Sequence, residues 1–323
     1  MAAAKKKRVE SDQLAGEPQA IPFSAEISKV LHLMIHSLYT NKDIFLRELV
    51  SNASDACDKL RYEAQSNDAL LKDNGELAIE ISADKVAGTL TIFDNGIGMN
   101  REDLVTHLGT IARSGTQEFS RALSGDASKD VNLIGQFGVG FYSAFMVADR
   151  VVVESSKAGE SECWRWESDG LGSFTLSASE QHVRGTRITL LLKEEAKDYL
   201  DSHRLRFIVT TYSDHIAFPI YIAEEGGERT RVNDSGALWT RPKSDISEEQ
   251  YQSFYRHVAH SPEKPWMVLH NKVEGALEYT NLLYIPAIKP FDLFSPERKT
   301  RVKLYVKRVY ITDEGVEIVP PYL

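Results

Sequence analysis

Glu48 and Asn52 stand four residues apart in the run Lys42-Asp43-Ile44-Phe45-Leu46-Arg47-Glu48-Leu49-Val50-Ser51-Asn52-Ala53-Ser54-Asp55-Ala56, and Asp55 follows three further on. On a helix that spacing puts all three on roughly one face. A carboxylate beside an amide oxygen can orient and deprotonate a water and hold a hard cation such as Mg²⁺. Two glycine-bearing stretches offer the complement. In Asp94-Asn95-Gly96-Ile97-Gly98-Met99 a carboxylate next to two glycines can accept from the exocyclic amine of a base. In Gly135-Gln136-Phe137-Gly138-Val139-Gly140-Phe141 the glycines let backbone amides approach phosphates at the start of a helix. Neither GxxxxGK[ST] nor GxGxxG occurs, so no common nucleotide fingerprint makes the case. Taken singly, DxGxG is more often a turn, and Glu48 or Asn52 reads as an ordinary capping or solvent-facing residue. The ordered trio is what has specificity.

The elements that must position these groups follow from periodicity. Ile44, Phe45, Leu49 and Ala53 form an apolar stripe opposite the polar face, which predicts a helix over 43–66. A helix capped by Ser24 precedes it, with Val30, Leu31, Leu33, Met34, Ile35 and Leu38 as its apolar face. Strands are expected at 77–81 and 88–93, the second running straight into Asp94. A short helix at 101–108, a polar loop at 109–115, a helix at 116–123 and a small, charged connection at 124–130 come next. The turn at 135–141 then feeds an apolar helix. From Arg150 the period becomes two, with strands at 151–155, 163–167, 173–176 and 186–192, followed by a helical stretch at 194–213 and a strand at 220–222.

The fold class is therefore α+β: a two-layer sandwich of helices on an antiparallel or mixed sheet. Composition shifts at Glu224-Glu225-Gly226-Gly227-Glu228-Arg229-Thr230-Arg231, a plausible linker, and the pattern restarts at Ala237-Leu238-Trp239-Thr240. The expected organisation is a disordered basic tail at 1–20, a ligand-binding domain at 21–223, a linker at 224–236 and a partial α/β domain at 237–323.

At 323 residues, 42% hydrophobic and 26% charged, the chain has ordinary soluble globular composition. A net charge of −9 speaks against a general nucleic-acid binder. Cys57 and Cys163 are the only cysteines and form no CxxC, so the sequence supports neither a disulfide framework nor a zinc site; a reducing, cytoplasmic compartment fits best. No stretch approaches the ~20 apolar residues of a membrane span. The basic run Lys5-Lys6-Lys7-Arg8 reads as a solvated extension, with a nuclear address or electrostatic tail as the other reading.

The combination resembles the ninety-kilodalton heat-shock chaperone family in its bacterial form. The matching stretches are 46–56, Asp94-Asn95-Gly96-Ile97-Gly98-Met99, Leu108-Gly109-Thr110-Ile111-Ala112-Arg113-Ser114-Gly115-Thr116, 135–145 and Gly185-Thr186. Trp239-Thr240-Arg241, Pro290-Phe291-Asp292-Leu293-Phe294 and Lys303-Leu304-Tyr305-Val306-Lys307-Arg308-Val309 resemble the family's middle domain, which separates it from gyrase-, histidine-kinase- and mismatch-repair-type proteins sharing the ATP fold.

The resemblance implies an ATP-dependent chaperone that binds ATP or ADP with Mg²⁺ and acts on unfolded or partly folded client proteins. Glu48 matches the general base, Asn52 the Mg²⁺ and phosphate contact, and Asp94 the adenine-reading carboxylate. Gly98, Met99 and Thr186 match residues lining the base, Thr186 through water, while Gly135, Gly138, Gly140 and Phe141 match the phosphate-side loop. Arg113 falls where a lysine is usual and His107 where an asparagine is frequent. Asp55 reads either as a water-mediated contact or as a helix-stabilising carboxylate.

Residues 101–130 are expected to close as a lid. The resemblance also implies a catalytic arginine and a dimerisation domain beyond Leu323, so the expectation is a fragment of low turnover, monomeric, from a protein that is a homodimer at full length. Two other readings stay open: a type II topoisomerase or mismatch-repair ATPase, and a client-holding module independent of ATP. Trp164 and Trp166 alternate with charged residues and read as sheet packing, and His32 with His36 lacks a third metal ligand.

Overall fold

The structure, a computed structural model, describes residues 41–71, 75–110, 116, 133–135, 138–180, 183–223, 228–275, 277–289, 295, 302–316 and 318. The basic tail, the Ser24-capped helix with His32 and His36, Arg113 with most of the expected lid, and 290–294 lie outside the described residues.

The expected polar-faced helix is α1 (Ile44–Glu63). Phe45, Leu46, Leu49, Val50, Ala53, Cys57 and Leu60 recur at three- and four-residue spacing and are buried, which commits one broad stripe of the helix to the core. Each such leucine contributes roughly 1.5–3 kcal/mol by leaving water. Its start is fixed from outside: buried Asp43 accepts from the Tyr199 hydroxyl at 2.9 Å and from Arg204 Nη2 at 2.6 Å. Arg61 lies in the last turn, where a cation complements the helix dipole. A second helix, α2 (Arg101–Leu108), begins with a capping box between Asn100 and Asp103.

Strands β1 (Ile79–Asp84), β2 (Thr89–Asp94), β3 (Ala148–Ser156), β4 (Cys163–Ser168), β5 (Thr175–Ala178), β6 (Gly185–Leu192), β7 (Ile220–Ala223) and β8 (Arg229–Arg231) form one sheet in the order β5-β4-β3-β6-β2-β1-β7-β8. All neighbours are antiparallel except β1 and β7. Helix α1, the 3₁₀ segment Gly140–Met146 and α3 (Ser202–Tyr212) pack together against this sheet. The α+β class read from the sequence is the observed one. The apolar stretch after the glycines forms a 3₁₀ segment, and the helical stretch at 194–213 divides into a 3₁₀ segment (Glu194–Leu200) and α3.

Alternation along the strands sets what faces the helices. Leu90 and Ile92 on β2, Ile188 and Leu190 on β6, and Val151 and Val153 on β3 point to the buried side and lie in register across the three strands. Trp166 is buried between Phe141, edge-on at 5.6 Å, and Phe174, stacked at 5.7 Å, so it is sheet packing. Beyond β8 come α4 (Glu248–Ala259), the hairpin of β9 (Pro265–Val273) with β10 (Tyr279–Pro286), and the hairpin of β11 (Leu304–Val306) with β12 (Val309–Thr312). Val309 belongs to the same core cluster as α1, and Tyr310 lies 5.7 Å from Tyr212 on α3.

Candidate functional site

Each apolar row of the central strands ends in a polar residue. Asp94 follows Leu90 and Ile92, Thr186 precedes Ile188 and Leu190, and Ser155 follows Val151 and Val153; all three are buried. Register sets Asp94 opposite Thr186 and Thr186 opposite Ser155. The core face of the sheet thus closes on a row of three polar side chains. The Ser155 hydroxyl donates to the Gly185 carbonyl at 3.0 Å, accepts from the Met99 amide at 2.8 Å, and lies 2.9 Å from the Thr186 hydroxyl.

Asp94 accepts from the Gly96 amide at 3.0 Å. Burial pushes its carboxyl up to about 7, against the backbone donors of Gly96 and Thr186, which pull it down. A buried acid held close to ionisation near neutrality gains from a ligand that brings a further donor.

The glycines of DxGxG have a steric reason. A Cβ on Gly96 would come within 2.5 Å of the Ala56 backbone on α1, and one on Gly98, at φ +68°, within 2.0 Å of the Ser156 carbonyl oxygen. The loop is pinned there by Ile97 N–H to Ala56 O at 3.0 Å and Ala158 N–H to Ile97 O at 2.8 Å. Only glycine lets the chain pass between α1 and the end of β3. Gly185, at φ +115°, likewise lets β6 approach the Asp94 carbonyl, 1.9 Å from where its Cβ would stand.

Helix α1 serves as a common spine. Its Glu48 lies against Gly140, whose Cβ would be 2.3 Å from Glu48 Oε2. Arg47 holds the other Glu48 oxygen, with Nη2 to Oε1 at 2.7 Å. One turn on, Asn52 Oδ1 faces Gly135, 3.0 Å from the position of a Cβ. Asp55 accepts from the Ile134 amide at 2.7 Å, the Gly135 amide at 2.9 Å and the Thr116 hydroxyl at 3.1 Å. Burial raises this carboxyl to about 7 although all three donors favour its ionised form. Asp55 therefore ties the segment at 133–135 to α1, a role neither reading of the sequence included.

The residues singled out from the sequence are gathered along α1: Glu48 with Gly140, Asn52 and Asp55 with Gly135, and Ala56 with the Asp94–Met99 loop. Gly138 has φ +65°. The Phe141 ring is packed against Trp166 and Tyr142 and is buried, so the side chain belongs to the core. Arg113 lies outside the described residues. Ser155 was not singled out in advance, and Gly185 and Arg47 stood only inside the matching stretches, with no role assigned to either. Ser155 had a legible signal, since it ends the alternation Val151-Val153-Ser155. Among the described residues no group of three or more His, Cys, Asp or Glu is placed to hold a metal.

Residues 39–183 match the family model of the histidine kinase-, DNA gyrase B- and HSP90-like ATPases, with which helices packed on a mostly antiparallel sheet agree. Residues 222–323 match the model of the Hsp90 protein family. The chain is 60% identical over 308 residues to the chaperone protein HtpG of Rhodospirillum rubrum, covering 94% of this chain and 49% of that protein. It is 58% identical over 310 residues to the chaperone protein HtpG of Wolbachia pipientis wMel, covering 95% and 49%. Against the HtpG of Rickettsia prowazekii identity is 58% over 303 residues, covering 93% and 49%. The chain belongs to the ninety-kilodalton heat-shock protein family, in its bacterial form. It spans about half the length of the curated relatives it matches.

Proposed function

We propose that this chain binds ATP and ADP with Mg²⁺, hydrolyses ATP, and thereby serves as the nucleotide-dependent part of a molecular chaperone acting on unfolded or partly folded client proteins. The observation that carries the reading is the buried Asp94 carboxylate at the end of an apolar sheet face, with α1 presenting Glu48 beside Gly140 and Asn52 beside Gly135. Buried Asp94 has capacity for one more donor, and an adenine amine is such a donor, with Gly98, Met99 and Thr186 beside it and Thr186 acting through water. Gly135, Gly138 and Gly140 carry no side chain where phosphates would approach, which fits the nucleotide. Asn52 Oδ1 fits a hard cation. When bound, the Mg²⁺-nucleotide supplies the electrophilic phosphorus and the charge that offsets its oxygens.

Glu48 holds and deprotonates the attacking water through the oxygen facing Gly140. Its other oxygen is held by Arg47, which orients the carboxylate; slow turnover of this chain belongs to the same reading. Residues 101–130 close over the nucleotide as a lid, with Arg113 reaching it. A cytoplasmic setting, a monomeric state for this chain and a homodimer for the longer protein belong to the same reading. No described helix is long and apolar enough to cross a membrane.

Titration calorimetry of ADP with Mg²⁺ against the wild type and Asp94→Asn tests it. Saturable binding by the wild type that is lost in the variant is expected, because the amide presents donors where the base amine also donates. Equal binding by both proteins overturns the site. The match of 222–323 to the Hsp90 protein model favours a chaperone over a topoisomerase or mismatch-repair ATPase.

A further inference from the structure

A cavity of about 50 Å³ lies on the flank of α1 next to its site-facing side. Its walls come from distant parts of the chain: Ser54, Asp58 and Arg61 on α1, Ile134 from the segment tied to Asp55, and Arg308 at the tip of the β11–β12 hairpin. The hairpin is firmly seated. Lys307 adopts φ 60° in its tight turn and its carbonyl accepts from Trp239 Nε1 at 3.0 Å, while Val309 is buried in the main core. Arg308 is thereby carried into a half-buried place, where its Nε has no hydrogen-bond partner among the described residues.

Among the described residues Asp58 is the one carboxylate in the cavity wall, and it is buried. Arg61 Nη2 pairs with it at 2.6 Å from the more exposed side. Two guanidiniums thus flank one carboxylate, whose charge offsets part of the cost of taking the half-buried Arg308 out of water. Across the cavity, Ile134 and Gly135 donate their amides to Asp55, and Gly135 rests against Asn52. A displacement of the Ile134 side chain therefore moves the Gly135 amide.

We propose that Arg308 is a positioning residue for the nucleotide site: by filling the wall between Asp58 and Ile134 it holds α1 and the Ile134–Gly135 step in fixed relation. The consequence is that the β11–β12 hairpin, far along the chain, sets the geometry of the phosphate-side turn. This rests on the reading of Gly135 as part of that turn.

The test combines hydrogen exchange at the Ile134 and Gly135 amides with calorimetry of Mg²⁺-ADP and of adenosine, which lacks phosphates. Arg308→Met is expected to speed exchange at both amides by about tenfold and to weaken ADP by about three- to tenfold, with adenosine unchanged. Arg308→Lys keeps the charge and should recover most of the loss. Asp58→Asn combined with Arg308→Met should be no worse than Arg308→Met, as for two groups acting as one unit. If Arg308→Met lowers thermal stability while leaving exchange at Ile134 and Gly135 and the ADP-to-adenosine ratio as in the wild type, the residue is only structural and the proposal falls. Should Arg308→Met fail to fold, Arg308→Gln, which shortens the side chain and removes its charge, carries the same readouts. A wild type that binds neither ligand refutes the nucleotide reading, and the exchange measurement still decides the coupling.

Discussion

Ser155 faces Thr186 across neighbouring strands with their hydroxyl oxygens 2.9 Å apart, and the same Ser155 oxygen accepts the Met99 amide. One hydroxyl thus joins β3, β6 and the loop after Asp94. Ser155→Ala leaves the Met99 amide without its acceptor, a loss of about 1–3 kcal/mol for a buried donor. Adenosine affinity should fall about tenfold, while Thr186→Ser, which keeps the hydroxyl, should stay within about threefold of wild type. Calorimetry on both variants checks it.

Glu48→Ala should bind ADP as the wild type does and lose about 10²–10⁴ in ATP turnover. Gly140→Ala is the more discriminating variant. Its new methyl meets the flexible end of Glu48, so the fold should survive with little change in thermal midpoint, while Glu48 is displaced and turnover drops by at least about tenfold. Phosphate release and a melting curve measured together would show whether turnover is lost without stability.

Asp94 makes the free protein sensitive to pH in a defined direction. Burial raises its carboxyl from the ordinary 3.8 to about 7 in the folded state, so the unfolded chain releases this proton first. Stability should therefore fall as pH rises from about 4 to about 7 and level off above that; Asp94→Asn should remove its share of this slope and leave the share of Asp55, whose carboxyl burial also raises to about 7. Ligand affinity runs the other way, because the ionised carboxylate is the acceptor. Adenosine, which has no phosphate to titrate, should bind more tightly at pH 8 than at pH 6; equal affinity would remove Asp94 as the base-reading group.

His257 on α4 bonds Asp214 through Nε2 at 2.7 Å, and the Asp214 side chain holds its protonated form, raising the imidazole above 6.5. That contribution is fully present below the unfolded value and is lost as pH rises through the folded one. Buried His215, edge-on to Trp239 at 4.8 Å, is pushed down to about 4 by burial and has the opposite sign, losing stability as pH falls below 6.5. The His257 side chain is 49% exposed, so solvent screening keeps its pair under ~1 kcal/mol. His257→Gln should lower the thermal midpoint by about 2 °C at pH 6 and by less at pH 8.5.

Gly98→Ala tests the loop itself. A methyl at φ +68°, within 2.0 Å of the Ser156 carbonyl, meets rigid backbone, and destabilisation above about 2 kcal/mol is expected by chemical denaturation.

Much of this site could be read before any coordinates, and the reasons are local. Glu48, Asn52 and Asp55 share a helix face that the apolar stripe of α1 leaves over, and Asp94 follows a strand whose alternation is plain. Ser155 carried the same alternation, but its meaning depends on β3 lying beside β6 and β6 beside β2, an order that short-range pattern does not contain. The grip of Asp55 on Ile134 and Gly135 joins groups about eighty residues apart and was equally out of reach. Phe141 shows the reverse: its place in a glycine-rich turn suggested a ligand contact, while its size and its neighbour Trp166 take the ring into the core. Long-range pairing decides such cases, because the same apolar residue satisfies either environment.

Among the described residues, the one parallel pairing in the main sheet sets Ile79 of β1 beside Ile220 of β7. During synthesis, β1 and β2 can pair soon after they emerge, yet the outer edge of β1 has no strand to meet until residues 220–223 have followed. For that interval an apolar strand with open amides and carbonyls is exposed to any other chain nearby. Newly made protein should accordingly be prone to aggregate up to the moment β7 arrives, which makes β7, and not the site-bearing helix, the element that ends the vulnerable phase of its biogenesis.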